Sequence, residues 1–216
     1  MRHNYPFRHP LPGAAFSLVE LLVVAAIIGI LTALAVPALN SIGTARGLTK
    51  AGGDISSILE QGRTYAMANN TYVWVGFQTD GDALVSGVVA SKTGRLTHSE
   101  ASLAAADIVE ISPLRRWGGV ALEVIPSLTG RPASDPDGQL ASLSTPIRSF
   151  STASGGKARN FDRYVVQFDK VGTARISVGN AVRVIEIGLL PKFGSSQNYA
   201  AVQIGGLTGA VKLYRP

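Results

Sequence analysis

Phe16-Ser17-Leu18-Val19-Glu20-Leu21-Leu22-Val23-Val24-Ala25-Ala26-Ile27-Ile28-Gly29-Ile30-Leu31-Thr32-Ala33-Leu34-Ala35-Val36 is an apolar run carrying one carboxylate near its start. At 1.5 Å of rise per residue, a helix of about 21 residues extends about 31 Å, close to the hydrocarbon thickness of a bilayer. The run is therefore long enough to span. An ionised side chain inside such a helix costs on the order of a few kcal/mol, so Glu20 requires a cation as partner. Ala25, Gly29 and Ala33 recur every four residues and place small side chains on one helix face, where another helix backbone can approach. Pro37 closes the run.

Upstream lie Arg2 and Arg8 with no acid, an asymmetry that predicts a cytoplasmic N-terminus and a translocated remainder. Arg46 and Lys50 beyond the run oppose that rule weakly. Ala33-Leu34-Ala35 supplies the small-residue pattern of a secretory signal, but the run exceeds the usual 7–15 residue signal core and contains Glu20. A plain membrane anchor explains the length and leaves Glu20 unexplained. The remaining residues suffice for one domain with its own core. The chain has no cysteine, so no disulfide staples the exported part, and its stability must come from packing.

Past Pro37 the helix is expected to turn amphipathic, with a bend at Gly52-Gly53 and Asp54 as N-cap of the next helical stretch. Ile55, Ile58, Leu59, Gly62, Tyr65 and Ala66 fall on one face, and Asn69-Asn70 ends the helix. Strands are predicted at Tyr72–Phe77, Ala83–Ala90, Ile108–Ile111, Val120–Ile125, Tyr164–Phe168, Ala174–Val178, Val182–Leu190, Ala200–Ile204 and Ala210–Tyr214. Turns are marked by Thr79-Asp80-Gly81-Asp82, Lys92-Thr93-Gly94 and Gly205-Gly206. The alanines between Ser99 and Asp107 favour a short helix, and Pro126–Ser154, rich in Pro, Gly, Ser and Thr, reads as a long surface excursion. The pattern predicts an α+β fold, a long N-terminal helix packed on a β-rich head.

The segment Ala14-Ala15, Phe16-Ser17-Leu18-Val19-Glu20-Leu21-Leu22, with Gly29 and Pro37 at their spacings, resembles the N-terminus of type IV pilins and type II secretion pseudopilins. The resemblance implies four parts: a cleaved basic leader (residues 1–15), a transmembrane helix (16–43), an amphipathic continuation (44–70) and a β-rich head (71–216) with a long loop near 126–154. It further implies that a prepilin peptidase cuts before Phe16 and methylates its new amine, and that Glu20 pairs with the N-terminal amine of a neighbouring subunit. An α-amino group, with a pKa near 7.7–8.0, is mostly protonated at neutral pH and suits that pairing. Where the family usually has Gly before the cleaved bond, this chain has Ala15. Cleavage after Gly13 would shift Glu20 and Pro37 by two positions, so Ala15-Phe16 is the favoured bond. The passage Asp54–Asn70 into an aromatic-Val strand resembles the GspH/FimT group of minor pseudopilins. Val166–Gly172 and Val202–Val211 resemble that group's late strands more loosely. The overall pattern is also similar to the pilin-like Verru_Chthon cassette protein D group. Implied partners are the prepilin peptidase, other pilin or pseudopilin subunits and an inner-membrane assembly platform. The implied place is the inner membrane, single-pass, with the head periplasmic, or a filament built from it.

Catalytic readings find little footing. Beyond the leader His98 is the only histidine, so no His pair can hold a metal, and no Cys can serve as nucleophile. His98 beside Ser99 and Glu100 reads as a solvated surface group. Asp135 and Asp137, separated by Pro136, fall short of the 6–8 oxygens Ca²⁺ requires. No enzymatic activity, metal or cofactor is expected. The formal charge is +6, and removing Arg2 and Arg8 leaves +4. That excess supports an alternative in which a basic surface of the head captures DNA through Arg115 and Arg116 beside Trp117, Lys157 with Arg159 and Arg163, or Lys212 with Arg215. Ordinary solvated cations explain the same residues.

Overall fold

The computed structural model describes residues 17–96, 102–125, 133, 137–143, 147–154, 157–178, 182–193 and 198–215, with backbone alone at 34–46, 153, 154 and 157. The chain divides into two units, the first ending at Asn40 and the second running from Ser41 to Pro216.

A helix, α1, is assigned over Leu18–Ala68. It runs uninterrupted through Gly52-Gly53, so the expected bend and the expected N-cap role of Asp54 are both corrected. Gly52 serves packing instead: a Cβ built there would lie 2.9 Å from the Leu213 side chain. Leu48, Ala51, Ile55, Ile58, Leu59 and Ala66 recur at three- and four-residue intervals and are all buried. Gly62 on the same face lets the helix approach the strands beneath, its built Cβ falling 3.1 Å from Val75. The helix stops where expected. Asn70 takes φ 49°, which Asn tolerates better than most residues, and Thr71 N–H donates to the Ala66 carbonyl at 3.0 Å.

Eleven strands are described: β1 Val73–Asp80, β2 Ala83–Ser91, β3 Ile108–Gly118, β4 Val120–Leu122, β5 Phe150–Ser154, β6 Lys157–Phe161, β7 Tyr164–Phe168, β8 Ala174–Arg175, β9 Val184–Pro191, β10 Ala200–Gly205 and β11 Val211–Tyr214. They form a five-stranded sheet in the order β3-β2-β1-β7-β8, a four-stranded sheet β11-β10-β9-β4, and the hairpin β5-β6. All neighbours pair antiparallel. This is the expected α+β architecture. One apolar cluster joins the buried face of α1 to Val73, Val75, Phe77, Leu84, Val166 and Phe168 of the first sheet and Ile185, Ile187, Val202 and Ile204 of the second.

Alternation along β1, β2 and β7 sends Trp74, Val85, Val89 and Val165 to the opposite face of the first sheet, where they form a second cluster with Phe150 and Phe161 of the hairpin. Both faces of β1 are thus covered, which is why its first five residues are buried without a break. Gly76 and Gly87 sit opposite each other on β1 and β2. Built Cβ atoms there would lie 2.7 Å from Phe161, so the paired glycines form the notch that receives its ring. Phe150 stacks on Phe161 at 4.9 Å between centroids.

Three expectations need correction. The excursion Pro126–Ser154 ends in β5 and contains a 3-10 turn at Leu140–Ser142, with Leu140, Ile147 and Phe150 buried. These buried apolar side chains fasten the described parts of the segment to the core. Within the expected Ser99–Asp107 helix, the described part is non-helical: Ser102 bridges to Ser149 and residues 105–107 turn. The alanines there have no apolar face to bury, so propensity alone does not hold a helix. Finally, β3 extends to Gly118, placing Arg115, Arg116 and Trp117 in a strand opposite β2.

Candidate functional site

The first candidate is the apolar start of α1. Glu20 and Leu21 N–H donate to the Ser17 carbonyl at 3.0 and 3.2 Å, opening the helix. Glu20 is exposed and lies in the first turn, where a carboxylate opposes the unsatisfied N–H groups and the positive end of the helix dipole. Leu18, Val19, Leu21, Leu22, Val23, Val24, Ile27, Ile28, Ile30 and Leu31 are 47–78% exposed. Because they run consecutively, they circle the helix and leave no polar face; such a helix is one to be covered by protein or lipid. Thr32 is the polar exception, and its hydroxyl donates to the Ile28 carbonyl at 2.7 Å. Ala25, Gly29 and Ala33 are exposed, with open space where a Gly29 side chain would be.

Among the described residues no helix is long and apolar enough to cross a membrane. The described side chains of this stretch end at Ala33, and those of residues 34–46, including Pro37, lie outside the description. Ala15 and Phe16, on which processing and methylation depend, also lie outside it, as do His98, Ser99, Glu100, Asp135 and Pro136. No group of three or more potential metal ligands is found among the described residues.

The second candidate is the set of head cations, and the structure distributes them. Arg116 on β3 pairs with Asp80, and Arg159 on β6 reaches the same carboxylate at 2.8 Å. These two guanidinium groups, that of Arg159 first, hold the Asp80 carboxyl down at about 2, below the ordinary 3.8. Asp80 thereby ties the hairpin to the five-stranded sheet. Arg115 lies near Asp54, whose carboxyl is also held low, chiefly by the Trp117 indole N–H donating to it at 3.0 Å. Arg215 donates to Thr49 of α1 and, at 2.9 Å, to Asn198. Lys212 is exposed on β11, a strand of the other sheet. Arg163 lies over the Tyr164 ring at 5.1 Å, and the side chain of Lys157 is outside the description. Arg115 and Arg116 belong to one sheet and Lys212 and Arg215 to the end of another, with Arg116, Arg159 and Arg215 already engaged.

A cleft of about 470 Å³ opens beside the end of α1, lined by Tyr65, Asn69, Asn70, Lys92 and Gly94 among others. Several of its polar groups are spent internally: Lys92 Nζ donates to the Ala106 carbonyl at 2.8 Å and Asn69 Nδ2 to the Tyr65 carbonyl at 3.0 Å. Sequence reading did not foresee the Asp80 clamp, because Arg159 belongs to a hairpin hidden in polar sequence. Gly76 and Gly87 within apolar runs were a usable signal, since glycine inside a strand marks close approach of another group.

No protein-family model and no curated protein sequence matches the chain. Among solved structures it is similar to the type IV minor pilin FimU of Pseudomonas aeruginosa strain PAO1 in two crystal forms. One aligns at a TM-score of 0.39 with 11% identity, over 78% of this chain and 97% of that one. The other aligns at 0.38 with 12% identity, over 78% and 92%. Likeness at this level carries no argument about function.

Proposed function

We propose that this chain is a minor pilin or pseudopilin, a non-enzymatic subunit assembled through α1 into a type IV pilus or type II secretion-like filament. The observation that carries the reading is the start of α1: aliphatic side chains exposed around the whole helix, with a single acid in its first turn. Such a surface is covered by lipid before assembly and by neighbouring helices after it. The motif from Ala15 to Pro37 supports the finer assignment. Residues 1–15 form the leader, the peptidase cuts at Ala15-Phe16 and methylates Phe16, and Glu20 pairs with the Phe16 amine of the next subunit. In that scheme Ala25, Gly29 and Ala33 pack against other helices. Partners are the prepilin peptidase, fellow subunits and the inner-membrane platform; the resemblance to the GspH/FimT and Verru_Chthon cassette protein D groups belongs to this reading. The distribution and engagement of the head arginines lend the DNA-capture alternative no added support.

Replacing Glu20 by Ala tests the role directly. The variant is expected to insert and to be processed, because the charge is not needed for either, and to be missing from sheared filaments or from the isolated pseudopilus complex. Normal incorporation would overturn the pairing.

A further inference from the structure

On the face of the five-stranded sheet turned away from α1, the segment entering β5 meets the β7–β8 edge and borders a half-open pocket of about 160 Å³. Leu96 and Ile147 give it apolar walls, and its polar lining comes from Arg148, Gln167, Arg175 and Ser177. Every one of those polar residues can donate a hydrogen bond. Gln167 sits opposite Arg175 in the β7–β8 register and is 4% exposed. Its Oε1 accepts from Trp74 Nε1 at 3.1 Å, which commits the acceptor end of the amide and leaves the NH₂ end as donor. Arg148 is 6% exposed. No aspartate or glutamate lines the cavity among the described residues.

A guanidinium keeps its charge at neutral pH, so the largely buried Arg148 brings a cation to a pocket whose described lining residues include no acid. Arg175, exposed at the strand edge, adds a second positive charge. Apolar walls lower the local dielectric and strengthen attraction for any anion that enters. The planar forks of arginine match the oxygens of a phosphate or carboxylate, and two of them, with no acid among the described lining residues, favour a doubly charged ion. The volume is well below the 300–1,000 Å³ of ordinary small-molecule pockets, so the occupant is an ion or the end group of a larger molecule. We propose that this cavity is a binding site for a phosphate group, held by Arg148, Arg175 and the Gln167 amide.

The test is calorimetric titration of the full chain, in detergent and chloride buffer, with inorganic phosphate, glycerol 3-phosphate and acetate. Saturable one-to-one heat with inorganic phosphate is expected, with acetate binding at least tenfold more weakly. Binding of inorganic phosphate alone assigns the free ion; equal binding of glycerol 3-phosphate assigns a phosphomonoester end group; both support the site. Arg148→Gln should abolish the heat. Because that buried change can itself impair folding, Arg175→Gln, at an exposed position, is the deciding variant. It should weaken binding at least tenfold with an unchanged circular dichroism spectrum, while Lys212→Gln has no effect. Absence of saturable heat, or equal affinity in Arg175→Gln, would overturn the proposal.

Discussion

Asp80 shows how one carboxylate fastens an element that contributes no strand to either main sheet. It accepts from Arg159 of the hairpin and from Arg116 of β3, and its carboxyl is lowered from 3.8 to about 2. A depressed acid stabilises the folded state above its unfolded pKa, and that contribution is lost as pH falls through the folded value. Amide exchange in Phe150–Phe161 should therefore quicken as pH drops from about 4 to about 2, after correction for intrinsic exchange. Asp80→Asn should remove that step while leaving the acid response of the rest of the head in place. An unchanged pH response in Asp80→Asn would show that the clamp does not hold the hairpin. Lys192 acts similarly at the β1–β2 turn, pairing with Asp82 at 2.6 Å and donating to the Gly81 carbonyl at 2.7 Å.

Between elements, the decisive fit is Phe161 in the notch made by Gly76 and Gly87. Gly76→Ala should cost about 1–3 kcal/mol, because the added methyl meets the base of the Phe161 side chain, which has no free end to swing aside. Phe161→Ala should cost about 3–5 kcal/mol. In urea unfolding the double variant should lose clearly less than the sum of the two single changes; strict additivity would mean that the ring and the notch act independently. The sequence made most of the strands legible, since Tyr164–Phe168 and Ala200–Ile204 are β-branched runs bounded by turn residues. It hid the hairpin, because Phe150-Ser-Thr-Ala-Ser154 and Lys157-Ala-Arg-Asn-Phe161 each carry a single large apolar residue and no alternation. It also misled at Gly52-Gly53, where a pair of glycines reads as a bend while the helix runs straight through and Leu213 of β11 packs beside Gly52. Propensity is local; that contact joins residues far apart in the chain. The Phe16–Glu20 stretch, on which the proposed assembly role rests, stands out in the sequence for the opposite reason, being contiguous and chemically anomalous. The cationic pocket does not, because Arg148, Gln167 and Arg175 converge only through the β7–β8 pairing and the course of the segment before β5.

For the whole molecule, the second unit carries both apolar clusters and includes helix residues that the sequence pattern did not assign to the core. Leu48 and Ala51 are fully buried, and Thr49 receives Arg215. A chain beginning at Gly47 should therefore unfold cooperatively, as a β-rich monomer. One beginning at Gly53 should be less stable by at least the roughly 2–5 kcal/mol of a lost buried leucine. Equal urea midpoints and slopes would place the helix residues before Gly53 outside the fold. Beyond the head, the filament reading makes the start of α1 the working part of the molecule, and it commits to one chemical event there. Mass spectrometry of the N-terminus of the mature protein from its native envelope measures that event directly. A chain beginning at N-methylated Phe16 is the result expected; a chain beginning at Val36 would show a cleaved secretory signal and contradict assembly through this helix.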